Sequence, residues 1–519
     1  MDYVADCDDQ EETIAFLCRA ETYGVPGPIE RIDTHAAIVF LAGDHAFKLK
    51  RAVRYPYLDF STAAKRKAVC EAELALNRRT APDLYLAVQP VGRMPDGSLA
   101  LDAGEPLDWV VVMRRFAPEC LLDTMARKAP LEPRLLRDLA DEIAQFHAEA
   151  EIVRCSGGDR ARAVIEGNRA SMEALEKGQL PAADCDRLYA TSMDQLEALS
   201  PLLDRRGQAG HVRRCHGDLH LANICLWRGR PTLFDCLEFD PELAITDVLY
   251  DLAFLLMDLW QRGLHREASL AFNRYCDMRG ESDGLASLPL FLSMRAAVRA
   301  HVNASAAQRQ ERVEESEAKI RDAQAYLGSA LSFLERSTPR LIAVGGLSGT
   351  GKSTLAGRLA PYAGAAPGAR WLRSDVLRKR LAGVMPEEQL PPGAYTRDQS
   401  DAVYRKLCDE ARIALEAGID VIVDAVFADP AERAAIADVA ADCGVAFTGL
   451  WLEAAPATMR SRVGTRSGDA SDADAAVVDR QLGYALGDLG QWLRLDANGT
   501  PQETFAAGRG LIDSPGRSA

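Results

Sequence analysis

Residues 36–51, AAIVFLAGDHAFKLKR, alternate apolar and polar positions with a strand's period, which predicts two strands joined by a turn at Gly43-Asp44. In the second of them Phe47 and Leu49 fall on one face, and Lys48 and Lys50 on the other. Ser61 and Thr62 can cap a following helix whose body, KRKAVCEAELALNRR, carries Glu71 and Glu73. Another apolar strand is expected at 109–113, running into Arg114, Arg115 and Phe116 as a connector between a small first lobe, about 1–113, and a larger one, about 114–336. That larger stretch is helical in pattern over about 131–203 and again over about 248–336. Ser337-Thr338-Pro339 ends the helical period, and a domain boundary is placed near 337. Beyond it, strands at 341–344, 369–373, 420–424, 446–452 and 492–496 alternate with helical stretches, the pattern of a parallel sheet covered on both faces.

Composition narrows the setting without changing the architecture. The 519 residues are 48% hydrophobic and 26% charged, as in an ordinary globular protein. A net charge of −15 argues against general affinity for nucleic acid or an anionic membrane. The start lacks a basic and apolar leader, and the most apolar run, 248–260, contains Asp251 and Asp258 and is too short to span a bilayer. A cytoplasmic protein is expected, with its twelve cysteines reduced and mostly buried, since no CxxC pair suggests zinc.

Two stretches carry candidate chemistry. In HGDLHLAN, 216–223, Asp218 and Asn223 have a DxxxxN spacing, in which an aspartate can take a proton from a hydroxyl and an asparagine can ligate magnesium. Asp235 follows the apolar pair Leu233-Phe234, where a strand end would aim its carboxylate at a metal between phosphates. Lys48 and Glu73 have the strand-lysine, helix-glutamate order that holds ATP phosphates, although a surface lysine and a solvated glutamate give the same pattern. The stretch 216–240 together with ITDVLYDLAF resembles the aminoglycoside phosphotransferase-like kinases over roughly 30–330. The resemblance implies Asp218 as catalytic base, Asn223 and Asp235 as magnesium ligands, Lys48 with Glu73 as the phosphate clamp, and His216, Asp247 and Asp251 as supports. One departure is the segment THAAIVFLAGDHAFK, which holds a single glycine where a GxGxxG loop would cap the phosphates.

The second stretch, GLSGTGKS, is a full phosphate-loop motif between a strand and a helix. Gly346, Gly349 and Gly351 let the backbone curl around phosphate, Lys352 reaches the β- and γ-phosphates, and Ser353, next to Thr354, offers a hydroxyl to magnesium. Asp375 ends a strand and either takes a proton from a substrate or merely caps the helix that carries Arg378. Asp424 ends the strand of DVIVDAVF and can orient water or magnesium on the substrate side. Arg462 and Arg466 in SRVGTRSGDASDA either close over the phosphates or form a solvated helix face. Residues 340–505 resemble zeta-toxin-like and gluconate-kinase-like P-loop kinases, which implies Asp375 as substrate-side base, Arg378 as substrate contact and the two arginines as a lid.

The expected architecture is therefore an α+β two-lobed protein-kinase-like domain over 1–336, followed by an α/β P-loop domain with a parallel sheet over 337–519. The expected activity is that of a bifunctional kinase using ATP and Mg2+, with sugar-like or amino-alcohol-like hydroxyl acceptors as its partners. Two alternatives stand beside it: one catalytic domain governed by a nucleotide-sensing one, or a toxin-like regulator acting on a nucleotide sugar or a protein.

Overall fold

The computed structural model describes residues 7–34, 36–55, 58–238, 240, 242–308, 310, 312–465 and 470–513. By internal packing the chain divides into two compact units, Met1–Cys155 with Gly207–Leu252, and Ser156–Arg206 with Ala253–Ala519, so that residue 337 lies inside the second. Among the described residues no helix is long and apolar enough to cross a membrane.

The first unit is built on a six-stranded antiparallel sheet in the order Glu30–Asp33, Ala37–Ala42, His45–Lys50, Glu105–Arg114, Tyr85–Arg93, Leu99–Leu101. The expected hairpin is present, with Phe40 opposite Phe47 and Gly43 at φ 55° in its turn. A strand at Glu30–Asp33 precedes it, so the hairpin strands are the second and third of the sheet rather than the first two. Phe47 and Leu49 enter an apolar cluster with Ile38, Phe40, Val110 and Val112. Strand alternation therefore commits Lys48 and Lys50 to the opposite face. Thr62 caps the helix Ala63–Asn77 by accepting from the Lys65 N–H at 3.4 Å, and that helix presents Glu73 to the same face.

The unit also contains the helix Pro133–Glu149 and a short hairpin, Ile224–Trp227 with Arg230–Leu233, that follows the HGD loop.

The second unit holds a five-stranded parallel sheet in the order Arg370–Arg373, Val421–Asp424, Arg340–Gly345, Ala446–Glu453, Leu493–Asp496. Its central strands are apolar between their ends: Leu341 to Val344 and Val421 to Val423 are fully buried. A strand covered on both faces demands this composition. Helices Gly157–Glu173, His265–Arg279, Leu288–Ala307 and Val313–Phe333 belong to this unit as well. The helix His265–Arg279 meets the edge strand through buried polar groups: Arg370 donates to Asp277 at 2.6 Å and to the Asn273 Oδ1 at 3.0 Å. Asn273 also accepts from the Trp371 N–H at 2.7 Å and donates to the Ala369 carbonyl at 3.0 Å.

All twelve cysteines are free thiols. Only Cys70, Cys215, Cys225, Cys236 and Cys276 are buried, fewer than expected, because others such as Cys185 and Cys408 ride on helices with one face toward solvent.

Candidate active sites

In the first unit the HGD loop is held from beneath by one buried carboxylate. Asp251 accepts from the His216 N–H at 3.1 Å and the Gly217 N–H at 2.8 Å, and it contacts His147 Nε2 at 3.1 Å. Gly217 has φ 84°, and a Cβ there would lie 2.9 Å from that of Leu237. Side chains larger than glycine are thus excluded at the loop's tightest point. Asn223 donates its amide to the Asp218 carboxylate at 2.8 Å and to the Asp218 carbonyl at 3.0 Å. The Phe234 N–H donates to the Asn223 carbonyl at 3.0 Å, which brings Asp235 beside this pair. Asp235 itself has φ 60°, a conformation costly for a non-glycine residue, and its N–H donates to the Tyr85 hydroxyl at 3.2 Å. Asn77 supports the same segment by accepting from the Cys236 N–H at 2.8 Å.

Lys48 joins the sheet to this loop. Its ammonium lies 2.8 Å from Glu73 Oε1 and 2.6 Å from Asp235 Oδ1. Burial works to raise the Glu73 carboxyl and to lower Lys48, but the opposite charges around each win: Glu73 is held below the usual carboxylate range by Lys48 and Lys50, and Lys48 is raised well above its ordinary value by Asp235 and Glu73. Both therefore carry full charge at neutral pH, and the surface-lysine alternative does not describe them. Pattern reading did not single out Lys50 and Glu238. Lys50 lies 2.6 Å from Glu73 Oε2 and also pairs with Glu238. The signal for Lys50 was the shared strand face; nothing local marked Glu238. Asp247, at the start of the helix Val248–Gln261, accepts from the Leu249 N–H at 2.9 Å.

In the second unit the phosphate loop runs from the central strand into the helix Lys352–Leu359. Gly346, Gly349 and Gly351 have φ of 140°, 83° and 97°. A Cβ on Gly346 would come within 2.7 Å of the Leu452 carbonyl, and one on Gly349 within 2.5 Å of the Met459 carbonyl. The backbone is thus pressed against its neighbours, in the glycine-dependent curl that a phosphate-binding loop requires. Lys352 donates to the Leu347 carbonyl at 3.2 Å. Asp424 pairs in register with Val344 one strand over, which sets it against the loop; it is hydrogen-bonded to Ser353. Burial pushes its carboxyl up to about 6, against the pull of Lys352 and that hydrogen bond.

Asp375 occupies the first turn of the helix Ser374–Leu381, whose cap position is Arg373, so Asp375 is not the capping residue. It lines an open cleft of about 1870 Å³ together with Lys352, Ser353, Arg378, Asp424 and Arg462, and Gly349, Gly351 and Thr354 contribute to its wall. Arg378 is fixed by the Ala394 carbonyl at 3.0 Å and Ser400 Oγ at 3.3 Å, and it lies over the Tyr395 ring. Arg462 reaches back over the phosphate loop to the Thr350 carbonyl at 3.3 Å and the Gly499 carbonyl at 3.0 Å, so it is not merely a solvated helix face. Arg466 lies outside the described residues. The motifs gave no hint of Gln481, which accepts from the Ser348 N–H at 2.7 Å; Asp472 stood inside the quoted SRVGTRSGDASDA run without a role, and it gathers Lys379, the Leu390 N–H and Tyr395.

Oxygen donors dominate both sites: Asp218, Asn223 and Asp235 in one, Ser353 and Asp424 in the other. That donor chemistry fits magnesium, which takes few protein ligands beside water and phosphate.

Two family models match the chain, and the first of them takes in residues from both packing units. The phosphotransferase enzyme family model matches residues 58–286, and an AAA domain model matches 341–485. Uncharacterized proteins of Mycobacterium tuberculosis (strain ATCC 25618 / H37Rv) and Mycobacterium bovis are each 34% identical to it over 459 residues, covering 86% of this chain and 88% of theirs. Among solved structures, a choline/ethanolamine kinase family protein from Mesorhizobium loti is 16% identical, with a TM-score of 0.37, covering 63% of this chain and 98% of that one.

Proposed function

We propose, for a chain that belongs to the same family as these mycobacterial proteins and joins a phosphotransferase domain to a P-loop kinase domain, that both domains move the γ-phosphoryl of ATP to hydroxyl groups of small molecules. The observation that carries this reading is the shared lysine of the first site: Lys48 bridges Glu73 and Asp235, whose segment is tied through the Phe234 N–H to the Asn223 and Asp218 pair. A dead domain has no need to keep these charges together, since the fully buried Glu73 and the largely enclosed Lys48 cost desolvation energy that apolar residues avoid.

In the first site Lys48 would hold the α- and β-phosphates, Asp218 would take the acceptor's hydroxyl proton, and Asn223 and Asp235 would hold magnesium. In the second, Lys352 and the backbone of Gly346 to Ser353 would cradle the phosphates, and Ser353 and Asp424 would hold magnesium. Asp375 would accept the acceptor's proton, Arg378 would orient the acceptor, and Arg462, with Arg466 beyond it, would offset charge developing on the transferred group. Magnesium, when bound, neutralises phosphate charge in both. We place the change from one domain to the other near residue 337, the acceptors among sugar-like or amino-alcohol-like compounds, and the protein in the cytoplasm.

The test incubates full-length protein with labelled ATP, magnesium and a metabolite extract, comparing wild type with Asp218→Asn and Lys352→Ala. Each substitution is expected to remove a different labelled product by about a hundredfold or more. The reading fails for a domain whose substitution leaves every labelled product in place.

A further inference from the structure

The first site contains a second lysine that nucleotide binding, as described above, does not use. Lys50 is 2% exposed and Glu73 is fully buried, so neither is a surface charge satisfied by water. Lys50 takes one oxygen of Glu73 and Lys48 takes the other. Lys50 also pairs with Glu238, three residues beyond Asp235 and itself only 10% exposed. Four charges, the inner two buried and the outer two largely enclosed, therefore form a chain, Lys48–Glu73–Lys50–Glu238, whose two ends bracket the candidate metal ligand. The strand supplies both lysines, the helix Ala63–Asn77 supplies Glu73, and the segment after Arg230–Leu233 supplies Asp235 and Glu238.

Lys48 faces a conflict that this chain resolves. Its ammonium is held by Glu73 and Asp235 together, yet nucleotide binding requires it to face phosphate and requires Asp235 to face the metal. Were Lys48 the only cation on Glu73, turning it toward phosphate would strip a buried carboxylate of its counter-charge, an expensive step in a low-dielectric interior. With Lys50 in place, Glu73 keeps a partner throughout. Glu238 in turn balances Lys50 and tethers the backbone just past Asp235, which already sits at a strained φ of 60°.

We infer that Lys50 and Glu238 are positioning residues of the first site, which hold Glu73 and the Asp235 segment so that Lys48 and Asp235 can turn together toward a metal-bound nucleoside triphosphate. This rests on the reading of the first domain as a kinase. Burial tends to neutralise Glu238 and raises its carboxyl, and Lys50 opposes that. The pair thus depends on each other's charge.

The test uses full-length protein carrying Lys352→Ala, which silences the second site, and a fluorescent ATP analogue titrated with and without magnesium. Lys50→Met is expected to cut the gain in affinity that magnesium brings by about tenfold, with Glu238→Gln acting in the same direction and Lys50→Arg staying within about threefold of the parent. Metal-free affinity should hold in all three, whereas general loosening of the fold would lower it too. Normal magnesium gain in a folded Lys50→Met protein overturns the inference. Should Lys50→Met not fold, Glu238→Gln decides: an undiminished gain there overturns it equally. Lys48→Met separates the two levels. If it too leaves binding unchanged, the kinase reading of the first domain has failed; if it abolishes binding while Lys50→Met does not, only the inference has.

Discussion

The two sites prepare for the same ligand with opposite materials. The first assembles side-chain charge: Lys50 and Glu73, both buried, with the largely enclosed Lys48 and Glu238, drawn from a strand, a helix and a loop. The second assembles backbone: a glycine-rich turn ahead of a helix, whose N–H groups would face the phosphates on the proposed reading, with Lys352 as its one loop cation. Buried charge in that unit lies partly behind the site instead, where Arg370 and Asp277 join the helix His265–Arg279 to the edge strand that leads into Asp375. A backbone cradle needs close packing, and it tolerates little added volume. A charge cradle needs partners, and it tolerates little loss of charge.

This contrast is most severely tested by removing charge from the second unit. Asp277→Ala leaves the Arg370 guanidinium, 2% exposed, with only neutral acceptors. Breaking such a pair from one side is expected to destabilise the second unit by about 3 to 5 kcal/mol, read as a lower urea midpoint. A shift below about 1 kcal/mol would mean that the pair is solvated like a surface bridge, and the contrast drawn above would lose its second half.

Glycine substitutions probe the other direction. Gly349→Ala adds a Cβ 2.5 Å from a backbone oxygen at φ 83°, and should weaken nucleotide binding at the second site by about a hundredfold. Gly43→Ala, in the first unit's hairpin, meets only a Val25 methyl at 3.2 Å at φ 55° and should cost about 1 kcal/mol of stability. Nucleotide affinity at the first site should not follow if, as proposed, its phosphate contacts come from Lys48 and not from that turn. Titration of each variant with the ATP analogue checks both. A large loss of first-site affinity in Gly43→Ala would show that the turn acts as a phosphate cap despite having one glycine.

Legibility in the sequence follows the same division. A backbone cradle is contiguous, so GLSGTGKS displays its strand, loop and helix within one short run. HGDLHLAN displays Asp218 and Asn223 for the same reason. Charge cradles are not contiguous: Lys50 and Glu238 stand 188 positions apart, and only the folded sheet joins them. Lys50 was half-visible through strand alternation, which gave its face but not its partner. Asp424 was legible as a strand end, while its contact with Ser353 required the parallel register that sets Asp424 beside Val344. Whether Asp375 caps its helix could not be read from SDVLRKRL, since a two-residue difference in helix start decides it. Packing units were the least visible of all, because the Arg370 network is made by residues nearly a hundred positions apart.

The smallest expected effect distinguishes the sites by pH. Glu73 is held below its ordinary carboxylate range, so its contribution to stability is present above pH 4.5 and is lost only as pH falls well below that value. Glu432, which lines the second cleft, is pushed up by burial to about 7 despite its hydrogen bond with Tyr404. Its folded form holds a proton that the unfolded chain releases, so its contribution is present below pH 4.5 and is lost as pH rises through 7. His301 in the same unit runs the other way: burial lowers it to about 4, so stability is gained as pH rises from 4 to 6.5. The two trends oppose each other in wild type, and substitution separates them. Relative to wild type, Glu432→Gln should gain about 1 kcal/mol between pH 5 and pH 7.5, a figure discounted for the solvent that reaches this partly open carboxyl. Glu73→Gln, by contrast, should show a constant deficit across that window, since Glu73 is already ionised throughout it. Urea unfolding at the two pH values measures both differences. A Glu432→Gln difference that stays flat with pH would place its carboxyl in the ordinary range, and the two cradles would then no longer differ in how they treat an acid.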